Sequence, residues 1–409
     1  MISCCFNRIV CLASRSPAKR CRGFLLLLLT ASAPALAAPY LPRDDAVVLE
    51  TLPAKAADPA AMQLRRLRAA FAAAPGDPAA AEELADRYFD QAMAEGDPRY
   101  VGYAEAVLRR WPEAAGTPSG LLVLHGKLRQ YRHDFAMALA DFDLALRADP
   151  GSLGARAWRA AIFMVQADYA GARRECALLA PLTSELHAVA CAAYVDATTG
   201  QARAAYARLS AAQARAAGAY PGLELWVQTR LAEMAWRAGE LDAAERHFRR
   251  GLALGVDDNF LLAAYADFLL ERGRAAEVVP LLEKWARSDT LLLRLALAAR
   301  AQRLPAAERY ARTLGERFAE AGLRGEKLHL QEEARFLLEL RGDARAALAA
   351  AVENYRTQRE PRDAQVLIEA ALAARVPAAA APALQWLEAS GFEGTRIREA
   401  AARVRALEK

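Results

Sequence analysis

Histidine is scarce in this chain: five residues in 409, namely His125, His133, His187, His247 and His329. They are scattered, with no pair at metal-ligand spacing; His125 and His133 flank one helix end but lack a third ligand. No glycine loop able to cradle phosphate occurs, and no nucleophile elbow. The paired acids Glu82-Glu83, Asp257-Asp258 and Glu332-Glu333 read as solvated helix starts or faces, and nothing marks one pair as glycosidase carboxylates. Arg341-Gly342-Asp343 spells an adhesion tripeptide but occupies a turn slot. These absences exclude the common signatures of an enzyme, a metal centre or a cofactor site, and predict a non-catalytic protein.

Long hydrophobic runs are also missing. The longest begins at Phe24 to Leu29 and continues to Ala37. Broken by Pro34, it covers roughly 15 residues, short of the ~20 that a spanning helix needs. Arg8, Arg15, Lys19, Arg20 and Arg22 precede it without any acid, and Ala35 and Ala37 form a small-x-small site. The pattern predicts a secretory signal peptide over 1–37, cut after Ala37, and a periplasmic or secreted protein with no stable membrane insertion after cleavage. No cysteine follows the apolar run, so a lipoprotein anchor is not indicated.

Removing that segment cancels the apparent basicity. The chain carries 54 Lys and Arg against 49 acids, but five of the bases lie in 1–37, which leaves 49 against 49. The charge argument for a nucleic-acid partner goes with them. Four of the six cysteines (Cys4, Cys5, Cys11, Cys21) leave as well, and only Cys176 and Cys191 remain. In an oxidising compartment this pair is a disulfide candidate between antiparallel neighbours. The other reading is two small core residues in helices.

What is abundant is alanine in a periodic pattern. Hydrophobic content is 55% with few β-branched runs, which favours helix throughout. Residues 38–57 are punctuated by proline and read as irregular; from residue 58 onward the pattern becomes helical. Asp134-Phe-Ala-Met-Ala138 is followed 34 residues later by Asp168-Tyr-Ala-Gly-Ala172, and the same period links Ala244 to Val278. Gly200, Gly239 and Gly273 stand at the turns between paired helices. After Val278 the phase slips, with Ala307 and Ala347 as the equivalent positions. Roughly nine helix pairs follow from this repeat logic.

The period, the Ala-aromatic-Ala spacing and the Asp149-Pro150 stop resemble the tetratricopeptide repeat, best over 119–184 and 223–287. The resemblance implies an all-α fold over 58–409: a right-handed α-solenoid of stacked antiparallel helix pairs. It further implies that each pair's first helix lines a concave groove that holds a partner. The outward slots there carry Lys127, Tyr131, His187, Tyr194, Trp226, Glu233 and Trp236, with Asp267 later. One slot reads Lys127, Ala161, Tyr194, Glu233 and Asp267 in successive units, which argues against the family's Asn-dependent carboxylate clamp. The expected function is a protein- or peptide-binding scaffold of the bacterial envelope. A carbohydrate- or peptidoglycan-associated binder, using exposed Trp and Tyr to stack on sugars, is the alternative, and an accessory hydrolase a more distant one.

Overall fold

Asp134, Asp168 and Asp343 show why the repeat turns where it does. Each carboxylate accepts a backbone N–H of the helix it precedes, from Met137, Gly171 and Ala346 at 3.4, 2.8 and 3.0 Å. Such caps satisfy one of the otherwise unpaired amides of a helix start. A residue with positive φ stands just before each: His133, Ala167 and Gly342.

The computed structural model describes residue 44 and residues 59–216, 218–325 and 329–407. The expected signal peptide at 1–37 lies outside these residues, as does the irregular segment at 38–57 apart from Asp44. The described residues hold twenty α-helices and no strand. They run as α1 (Pro59–Ala73), α2 (Pro78–Glu95), α3 (Arg99–Leu108), α4 (Ser119–Tyr131), α5 (Phe135–Ala148), α6 (Leu153–Val165) and α7 (Tyr169–Leu179). Then come α8 (Glu185–Thr198), α9 (Ala202–Arg215), α10 (Pro221–Arg237), α11 (Leu241–Ala253), α12 (Asn259–Glu271), α13 (Ala275–Leu282) and α14 (Asp289–Ala301). The last are α15 (Ala306–Leu323), α16 (Leu330–Phe336), α17 (Ala344–Tyr355), α18 (Pro361–Ala374), α19 (Ala381–Ser390) and α20 (Thr395–Ala406). Eight antiparallel pairs, α2–α3 through α16–α17, stack in order, with α1 before them and α18 to α20 after. Ala56 to Lys409 is one unit of the chain.

The helices pack where the alanines allow. Ala138, Ala172, Ala205, Ala244, Val278 and Ala347 are wholly buried at successive crossings. Phe142 and Phe248 fill the space beside two of them, also without exposure. The equivalent position in the pair α14–α15 departs from expectation. Ala307 is only half-buried, and α15 buries Ala311, Leu314 and Phe318 instead. Pro305 stands immediately before α15. That pair therefore crosses a turn further along than the repeat spacing predicts.

The C-terminal helices do not simply extend the stack. They return to the middle of it. Arg359 N–H donates to Val165 O at 2.7 Å, and Trp386 Nε1 donates to the Tyr169 hydroxyl at 2.7 Å. Glu393 Oε2 accepts from Ala202 N–H at 2.7 Å, capping α9 from outside its own repeat. Gly200 and Gly391 touch backbone to backbone; a Cβ on Gly200 would sit 3.1 Å from the Gly391 oxygen. At the other end of the array, Gly96 after α2 packs against Asn259 and Ser288. The superhelix closes on itself.

Candidate functional site

Closure leaves a solvent-open cleft of about 1200 Å³ on the concave side. One wall comes from first helices at helical spacing. Tyr194 and Thr198 project from α8; Arg230, Glu233 and Arg237 from α10, with Trp236 beside them; Phe260, Ala264, Asp267 and Glu271 from α12. The other wall comes from the returning C-terminus, with Arg362, Gln365 and Glu369 on α18, Phe392 between α19 and α20, and Arg396 in the first turn of α20. Five arginines (Arg230, Arg237, Arg335, Arg362, Arg396) face five carboxylates (Glu233, Asp267, Glu271, Glu360, Glu369).

Most of these charges are paired by the fold. Asp267 receives Arg294 Nη2 at 2.7 Å and Arg335 Nη1 at 2.6 Å, and Arg294 has no exposure at all. Burial would raise the Asp267 carboxyl, yet the two guanidiniums hold it well below the usual carboxylate range. Arg396 grips Glu369 with two bonds of 2.7 and 3.0 Å, and Arg230 bonds Glu233 at 2.8 Å. Aromatic faces hold the same cations. The Arg230 guanidinium lies between Tyr194 and Phe260, 4.3 and 4.4 Å from their centroids, and Arg237 lies 5.2 Å from that of Phe392. Burial pushes the Tyr194 hydroxyl up to about 12, so it stays a neutral donor toward Glu360 Oε1 at 3.4 Å.

Two groups differ. Arg362 stacks on Phe260 at 4.6 Å and feels the charges of Glu360, Glu233 and Asp267, which hold its guanidinium above the usual value despite burial, but among the described residues it makes no hydrogen bond to them. Among the described residues Glu271 accepts only the Trp236 indole N–H, at 3.2 Å, and burial raises its carboxyl. The cleft thus offers one cation without a hydrogen-bonded acid and one weakly matched acid.

Three of the seven residues expected on the groove meet here: Tyr194, Glu233 and Trp236. The others do not. Lys127 is buried, its Nζ donating to the Asp86 carboxylate and resting 4.4 Å from the Phe89 centroid. Tyr131 packs against the N-terminal core around Leu84 and Leu128. His187 and Trp226 meet edge to face at 6.0 Å, with His187 Nδ1 also 3.1 Å from Thr183 Oγ1 and Trp226 packed on the α8–α10 core. The repeat register finds the inner helices, but packing between neighbouring helices takes up these four side chains before they reach the groove. Arg362, Glu369, Phe392 and Arg396 gave no sequence signal, because they reach the site from over a hundred residues away.

Cys176 and Cys191 are bonded to each other, with Cα atoms 5.6 Å apart between α7 and α8. His125 and His133 are held separately: His125 Nε2 lies 2.8 Å from Trp111 O, and His133 Nδ1 3.3 Å from Gln358 Nε2. No group of three potential metal ligands, and no helix long and apolar enough to cross a membrane, occurs among the described residues.

No protein family matches the chain, and no curated protein does. Among solved structures it aligns with the Cut9-Hcn1 hetero-tetramer of the APC/C at 12% identity, over 84% of this chain and 52% of that one, with a TM-score of 0.41. This chain therefore spans about half the length of that neighbour. It also aligns with the P58(IPK) TPR domain at 14% identity (86% and 94% covered, TM-score 0.20) and with yeast Tom70 at 11% (85% and 92%, TM-score 0.30). The chain is a TPR-like α-solenoid. That rests on its own stacked helix pairs and 34-residue period.

Proposed function

We propose that this protein is a non-catalytic scaffold of the bacterial envelope, exported by its N-terminal signal, that holds a peptide segment of another protein in the concave cleft. The observation that carries the reading is the cleft itself, a solenoid groove narrowed by α18 and α20 and floored by aromatic side chains. Pre-positioned aromatics and arginines bury area at small entropic cost, which is what makes them interface anchors. Arg362, stacked on Phe260 with its hydrogen-bond donors unused, is the point at which an acidic side chain of the partner would dock. The carbohydrate reading is weakened by Trp226, which packs in the core rather than beside Trp236.

The test is photo-crosslinking of the tagged protein in its native host, with the reactive group placed at Gln365 in the cleft or at exposed Arg208 on α9. The reading expects one envelope protein linked from position 365, absent from position 208, and lost when Arg362→Glu is added. Links from position 208 alone, or recovery of glycan without protein, would overturn it.

A further inference from the structure

A second concavity lies between α9 and α11, both of them second helices of their pairs, away from the cleft. It is a groove of about 770 Å³. From α9 come Tyr206, Ser210 and Gln213, at i, i+4 and i+7; from α11 come Arg246, His247 and Arg250, with the arginines at i and i+4. Helical spacing places each set on one face of its helix.

The polar groups of this groove are oriented by a chain of hydrogen bonds that ends on α10. Gln228 Nε2 donates to Glu224 Oε1 at 2.8 Å, and Gln213 Nε2 donates to the same oxygen at 2.7 Å. The Gln228 carbonyl oxygen then accepts from His247 Nδ1 at 2.7 Å. His247 Nε2 is left to accept from the Tyr206 hydroxyl at 3.2 Å. The imidazole is neutral: burial, then the charges of Arg250 and Arg246, lower it to about 4. Glu224, the nearby acid, is already engaged by two amides.

Two features remain unsatisfied. Arg246 and Arg250 have no carboxylate or hydrogen-bond partner among the described residues, unlike Arg249 beside them, which bonds Glu245. Ser210 Oγ is buried and has no partner either. A buried hydroxyl without a partner calls for an explanation, and an unseen ligand is one. Two forked guanidiniums with a hydroxyl between the helices match the tetrahedral oxygens of a phosphate-type group.

We propose that the α9–α11 groove is a binding site for a phosphate-type oxyanion, held by Arg246, Arg250 and Ser210 and carried either free or as a lipid headgroup. This is independent of the peptide cleft.

The experiment titrates the folded full chain with inorganic phosphate at constant ionic strength, following the His247 ring resonances by NMR, because neutralising the two arginines changes the field at that ring. Saturable movement is expected, and Arg246→Gln and Arg250→Gln should each weaken the apparent affinity about tenfold, the loss of roughly one charge-assisted bond. Both side chains are exposed, and circular dichroism of the variants would check that the fold is kept. In a second arm the chain is sedimented with phosphatidylglycerol vesicles. Vesicle binding that phosphate displaces and the variants lose assigns the headgroup; phosphate binding alone assigns the free anion. Absence of saturation in both arms, or equal binding by the variants, overturns the proposal.

Discussion

Gly126 is a residue whose identity only packing explains. It sits inside α4, where glycine is unfavourable, yet a methyl there would overlap the fully buried ring of Phe142. Gly126→Ala should overpack the α4–α5 crossing and cost about 1–3 kcal/mol in urea unfolding, despite the gain in helix propensity. Asp363 makes a prediction with a sign. It is buried, accepts from Asn354 Nδ2 at 2.8 Å and Glu360 N–H at 2.9 Å, and is pushed up to about 7 by burial and then by Glu360. A carboxyl raised above its unfolded value favours the fold while protonated. Its contribution is complete below an unfolded value of about 4 and is lost as pH rises through about 7. Melting curves at pH 5 and pH 8 should therefore show wild type losing more stability across that interval than Asp363→Asn; parallel losses would contradict the assignment. At this scale the sequence was legible where a repeat fixes the side chain, as with Ala138 and Ala244. It placed Lys127 on the groove, whereas the residue is buried by contacts to Asp86, Phe89 and Trp158 from other helices.

Elements were easier to read than residues. Helix starts follow from Asp and Ser caps, and the second helices α5, α7 and α17 begin where the repeated aspartates say they should. At α9, which lacks its own cap, the structure supplies one from elsewhere. Gln201 before α9 gives no side-chain cap, and Glu393 occupies that role across the closure. Glu393→Ala should cost about 1 kcal/mol and speed hydrogen exchange at the Ala202 amide, with little change at α5, which carries its own cap. The α7–α8 bridge is likewise an element-level device. It closes a separation of 15 residues, so replacing Cys176 and Cys191 by serine should lower stability by about 3 kcal/mol in the oxidised protein. Reductant should lower the wild-type melting temperature and leave the serine variant unchanged. Sequence spacing left the bridge open because it cannot set the distance between two cysteines on neighbouring helices.

For the whole molecule, the period established a solenoid and missed its closure. Repeat spacing encodes contacts between neighbours, and an open array needs no others. The bonds from Arg359 to Val165, Trp386 to Tyr169 and Glu393 to Ala202 join positions about two hundred residues apart and leave no periodic trace. They decide what the cleft is, because half of its wall arrives with α18 and α20. The most direct test of this account is a pulsed electron-resonance distance measurement with spin labels at exposed Arg203 on α9 and exposed Glu399 on α20. Closure predicts a single narrow distribution at short range, broadened when Trp386→Phe and Glu393→Ala are combined. A long or broad distribution in the wild-type chain would mean that the C-terminal helices do not return to the groove, and the cleft would lose its second wall.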